Sequence, residues 1–199
     1  DKVESFDKDS APDATDLGYT RDEAANLAFA GWYESDADGA AACDVNASGK
    51  AYAKFVPITD IIKFRGGALR MDGAADVMTS LRFGYQTRVP DGSKLNGVMW
   101  KYKLYGGSGK IYEKKMTNYY AWEDGTIDAN FVILEILPSE YRNGYCVQEH
   151  VEYVTSDGTA VSIAENGSID GFQKRSVFDV ATDITNHNKA PEVDRAYAG

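Results

Sequence analysis

Apolar residues in this chain gather in short runs separated by turn residues, which is the pattern of an all-β protein. The pattern is clearest from Asn130 to Val161. Phe131-Val-Ile-Leu-Glu-Ile-Leu137 is apolar almost throughout and predicts a strand covered on both faces. Tyr145 to Val154 instead alternates, with Val147, Val151 and Tyr153 on one face and Gln148, His150 and Glu152 on the other. Thr155-Ser-Asp-Gly-Thr159 supplies a tight turn into the next strand.

Earlier positions extend the pattern. Residues 1–20, rich in Asp and Ser with Pro12 and Gly18, read as a linker or a loosely docked segment. Leu27, Phe29, Trp32 and Tyr33 predict one strand, and Ala51 to Val56 a second, stopped by Pro57. Ile58 to Phe64 reads as a linking strand, and Arg65-Gly-Gly-Ala-Leu-Arg-Met71 opens a new unit. Strands are further expected over Val77–Val89, Gly97–Tyr105 and Ile111–Trp122, with turns at Pro90-Asp-Gly-Ser93, Gly106–Gly109 and Glu123-Asp-Gly125. Beyond Val161–Ile163 and a turn at Glu165–Ser168, Arg175 to Ile184 reads as a closing strand or a short helix, the spacing of Val177, Val180, Ala181 and Ile184 behind a Ser176 N-cap favouring the helix. Residues 186–199 read as a tail or linker. The expected organisation is therefore a small β module over 21–57 and a β-sandwich over 58–185.

Two segments resemble known families. Phe29-Ala-Gly-Trp-Tyr33 followed by Gly49-Lys-Ala-Tyr-Ala-Lys-Phe-Val56 resembles the second half of the Listeria–Bacteroides (internalin B-type) repeat, with Phe55 where that family usually has Trp. The repeat's first half has no counterpart upstream. Gly67-Ala-Leu-Arg70, Ser80-Leu-Arg-Phe-Gly84, Ile136-Leu-Pro-Ser-Glu-Tyr141, Glu152–Thr159 and Arg175-Ser-Val-Phe-Asp-Val-Ala181 follow one order, similar to a β-sandwich module of clostridial surface and secreted proteins. Leu137 replaces part of that module's Ile-Pro element. These resemblances imply an Ig-like β-sandwich preceded by a β-hairpin or β-grasp-like repeat. They also imply an extracellular or cell-surface setting, a protein or polysaccharide partner there, and no catalytic residues.

Composition narrows the partners. Of 199 residues, 43% are hydrophobic and 12% aromatic, enough for a real core. The net charge of -10 argues against nucleic acid, whose phosphates call for clustered Lys and Arg. No run approaches the ~20 apolar residues of a transmembrane helix, so no membrane insertion is expected. Asp1 at the start reads as an excised piece or a processed product. Cys43 and Cys146 read as two separate small buried thiols, not as a disulfide framework.

Candidate chemistry is sparse, and neither enzyme activity nor a cofactor is expected. His150 and Glu152 share a strand face on which a metal could sit, although a solvated polar face explains the same pattern. Glu34, Asp36, Asp38 and Asp44 have the look of a calcium loop, yet ordinary turn composition accounts for them. Glu135, inside an apolar strand, is expected to have a raised pKa if buried, or to reach an edge or an Arg such as Arg82. The better lead is aromatic. Trp100, Tyr102, Tyr105, Tyr112, Tyr119, Tyr120 and Trp122 crowd one region, interleaved with Lys101, Lys103, Lys110, Lys114 and Lys115. Flat rings beside hydrogen-bonding groups suit a carbohydrate-binding strand face, for which Trp100, Tyr105, Tyr112, Tyr119, Tyr120 and Trp122 are the candidates. The plainer expectation is that half of these rings fill the core and the rest cap strand edges, with the lysines guarding those edges.

Overall fold

The computed structural model describes residues 11–43, 51–71, 79–104, 110–117, 119–165, 171–187, 191–192 and 195–196. The fold is all-β. A two-stranded hairpin pairs β1 (Leu27–Tyr33) with β2 (Tyr52–Pro57), and it precedes two larger antiparallel sheets. One sheet has the order β3-β4-β8-β7, from Ile62–Met71, Thr79–Thr87, Ile127–Ile136 and Tyr120–Ala121. The other has the order β10-β9-β5-β6, from Ala160–Ala164, Tyr145–Val154, Lys94–Leu104 and Tyr112–Lys115. A short β11 (Gln173–Arg175) also pairs with β9. Cys146 on β9 and Cys43 remain thiols.

The sheets face each other because inward positions alternate with outward ones along every long strand. Leu81, Phe83 and Tyr85 of β4 and Ala129 and Phe131 of β8 point inward, opposite Val98 and Trp100 of β5 and Val147, Val151 and Tyr153 of β9. Trp100 meets Phe131 edge-on at 5.7 Å, and the Tyr85 hydroxyl donates across the gap to the Val147 carbonyl. The hairpin shares this core: Ala28, Phe29 and Trp32 are buried in it, and the Tyr153 hydroxyl donates to the Phe29 carbonyl. A short helix, α1 (Arg21–Ala24), leads into β1 behind a Thr20–Glu23 capping box.

Several expectations change. Ile58–Ile61 is a helical turn, α2, not a strand; Ile58 and Ile61 are buried, and β3 starts directly after it. Ile111–Trp122 is not one strand but two, β6 and β7, lying in different sheets. The strand from Phe131 is not covered on both faces. Leu134 is 63% exposed because the register slips between Thr79–Ile136 and Leu81–Ile133. Glu135 sits in that bulge at φ 59° and is exposed. The polar face of β9 is also not simply solvated, since Gln148 is fully buried and donates to the Glu165 carbonyl at 3.0 Å. The C-terminal helix, α3 (Val177–Asn186), has Ser176 as N-cap with Asp179 completing the box. Val177 and Val180 are its buried face, set against β3. Residues 1–10, 44–50, 72–78, 105–109 and 166–170 fall outside the described residues, as do Asp44, Gly49 and Tyr105 with them.

Candidate functional site

The aromatic candidates do not form one face. Trp100 is 3% exposed and belongs to the core; it lies on the inward side of β5, so it presents no ring to a ligand. Tyr112 lies on β6 at the edge of the β9 sheet, stacked on Tyr102 at 5.3 Å with the Lys110 ammonium over its ring. Tyr119, Tyr120 and Trp122 belong to the edge of the opposite sheet and are exposed. Chain crossing between the sheets from β6 to β7 separates the two groups. Tyr120 and Trp122 remain together, their ring centroids 4.8 Å apart and their planes at 75°.

Those two rings open onto a cleft of about 750 Å³ on the outer face of the β3-β4-β8-β7 sheet. Sheet register builds it. Lys63 pairs with Gln86, Gln86 with Asp128, and Asp128 with Tyr120, so four strands place four side chains in one row. The flanking row, Ile62, Thr87, Ile127 and Ala121, lies one residue on and turns its first three side chains inward to burial. Trp122 follows β7 by one residue and falls on the same outward side as Tyr120.

The Trp122 ring is fixed at both ends. Its backbone N–H donates to the Thr126 carbonyl at 2.8 Å, closing the turn that Gly125 makes at φ 81°. Its indole N–H donates to Asp128 at 2.8 Å, and the other oxygen of that carboxylate accepts from the Gln86 amide at 3.3 Å. Asp124 anchors the same turn by accepting from the Thr126 N–H at 3.0 Å, which holds its carboxyl below the usual carboxylate range. Arg88 spans the rim between Asp91 at 3.1 Å and Asp124 at 4.0 Å. Both pairs are solvent-facing and add little stability. Chemically, the cleft offers an exposed indole face, a phenol at right angles to it, and donors and acceptors from Lys63, Gln86 and Asp60 along the floor. Its lining also includes the carboxylates of Glu123 and Asp124 and the Thr126 hydroxyl.

Lys63, Gln86, Arg88 and Asp128 carried no signal in the sequence. They come from β3, β4 and β8, and only the pairing register brings them to Trp122. The other sequence candidates fare differently. His150 accepts or donates through Nε2 to Gln148 at 2.9 Å, and burial lowers its pKa. Among the described residues no three His, Cys, Asp or Glu side chains gather to hold a metal ion. No described helix is long and apolar enough to cross a membrane. Comparison with known proteins gives no matching family model, no matching curated protein and no matching solved structure.

Proposed function

We propose that this chain is a non-catalytic binding module of a bacterial cell-surface or secreted multidomain protein, serving adhesion or scaffolding, and that it holds a saccharide in the Trp122 cleft. The observation carrying this reading is the fixed, half-exposed indole of Trp122 beside a row of hydrogen-bonding side chains. A sugar ring presents an apolar C–H face to an aromatic plane and hydroxyls to groups around it. The likeness of Phe29–Tyr33 and Ala51–Val56 to surface-protein repeats supports the setting. Because Tyr120 stands at 75° to Trp122, the pair makes one platform and one wall, not a flat strip. That geometry suits a short oligosaccharide or a chain end better than a crystalline polysaccharide surface. A panel of soluble oligosaccharides and polysaccharides, titrated calorimetrically against the chain, tests this. Trp122→Ala is expected to weaken the binding at least about tenfold, equal to about 1.4 kcal/mol. Binding that survives the substitution unchanged removes the cleft from the reading, and no binding by any member of the panel leaves only a scaffold.

A further inference from the structure

Glu149 is the charged residue this fold treats most strangely. It lies on the inward side of β9 between Val147 and Val151, fully buried in the sandwich core and directly opposite Trp100 of β5. One carboxyl oxygen pairs with the Thr87 hydroxyl of the facing sheet; the other makes no hydrogen bond, although the nearby Trp100 indole N–H favours the charged form. Glu165, just past β10, is also buried and also leaves one oxygen without a partner, while its other oxygen accepts from the Gln173 amide at 2.8 Å. Its backbone carbonyl accepts from the Gln148 amide at 3.0 Å, beside the stretch of β9 between its pairings with β10 and β11.

Two carboxylates in one dry pocket, each with an orphaned oxygen, cannot both ionise cheaply. The neighbours do not relieve them. Thr87 and Tyr85 from β4, Trp100 from β5 and Gln173 from β11 are neutral, and β8 contributes only apolar side chains here. Among the described residues, the cation nearest in effect is Arg175 of β11, which acts on Tyr85 and whose guanidinium lies over the Phe64 ring at 5.3 Å. Glu165 has the Gln173 amide as a donor and suits the anion; Glu149, the more deeply buried, suits the neutral acid. We propose that Glu149 and Glu165 hold one proton between them, and that the neutral Glu149 carboxyl, through its bond with the Thr87 hydroxyl, clasps the two sheets together beneath the cleft. The clasp reaches the cleft through Thr87, whose chain neighbours Gln86 and Arg88 both line it. The inference does not rest on what the cleft binds.

The sign of the pH dependence follows. Burial, reinforced by Glu165, pushes the Glu149 carboxyl up to about 8, and burial raises Glu165 too. A folded-state value above the unfolded one means the stabilisation is complete below the unfolded value and lost as pH rises through the folded one. The folding equilibrium constant is therefore expected to fall, approaching about tenfold per pH unit, between about pH 5 and pH 8. Urea melts of the whole chain at stepped pH measure it. Glu149→Gln, which mimics the neutral acid, is expected to flatten that slope and to exceed the parent in stability above neutrality. In parallel, carboxyl ¹³C shifts of glutamate-labelled protein are expected to show one midpoint far above the rest, which falls in Glu165→Gln. An unchanged slope in Glu149→Gln, or glutamates that all titrate in the ordinary range, overturns the proposal. If Glu149→Gln does not fold, the carboxyl titration decides. A high midpoint that Glu165→Gln leaves in place refutes the shared proton.

Discussion

At Gly67 of β3, α3 packs closely on the sheet, and this offers a sharp test of the packing. A Cβ added there would stand 2.6 Å from Cγ2 of Val180 and 3.6 Å from Cγ of Arg175. Carbon atoms prefer separations of about 3.5–4.0 Å, so the helix must retreat by roughly 1 Å or Val180 must leave its rotamer. Overpacking of this kind costs about 1–3 kcal/mol. Against it, replacing glycine in a strand restricts the unfolded chain and returns about 0.4–1 kcal/mol. Gly67→Ala is therefore expected to destabilise by about 1–2 kcal/mol net. Val180→Ala alone removes two buried carbons and is expected to cost about 2 kcal/mol. In the double variant the new methyl enters the space the valine vacates. Its cost is expected to fall short of the sum by about 1–2 kcal/mol, a coupling typical of touching residues. Guanidinium melts followed by far-UV circular dichroism supply all three numbers, and at this length each kcal/mol moves the thermal midpoint by about 2–4 °C. A neutral Gly67→Ala, or strictly additive effects, would show that α3 does not pack on β3 as described.

Two further outcomes bear on local backbone. Glu135→Gly is expected to stabilise the chain by about 0.5–1 kcal/mol in the same melts, because Glu135 is exposed yet held at φ 59°, where a Cβ is strained. Ser176→Ala is expected to cost about 1 kcal/mol and to fray the first turn of α3, read as faster amide exchange at Asp179, since the serine hydroxyl accepts that N–H at 3.0 Å.

What the sequence disclosed depended on whether the signal was local. The cap at Ser176 is local and stands in the structure as read; the alternation of β9 is local too, but in burial it holds only towards the C-terminal end of the strand, since Tyr145 to Glu149 are all buried. Glu149 was legible by the same alternation, since it occupies the inward phase of Val147 and Val151. Its charge invites the opposite assignment, and only the facing Thr87 makes its burial tolerable. The aromatic run from Trp100 to Trp122 misleads for a different reason. Neighbours in the chain are sent to the core, to one sheet edge and to the edge of the other sheet. The cleft is the converse case, since Lys63, Gln86 and Asp128 are far apart in sequence and adjacent only through strand register. Nothing periodic announces a bulge such as that at Glu135 either, because it arises from a mismatch between paired strands.

The bond from Tyr153 to Phe29 joins positions 124 apart. A loop of that length adds only modestly to the entropy of closure, which grows as the logarithm of length, but it governs timing. The two strands of the hairpin are made early and meet each other quickly. Their covering strand is made late. Until β9 emerges and folds, Phe29 lacks the Tyr153 cover and rests on its T-shaped contacts with Phe55 and Trp32, at 5.7 and 5.6 Å. A growing chain therefore carries these aromatic side chains uncovered until β9 follows, and the like charge of an acidic sequence opposes contact between neighbouring chains in that interval.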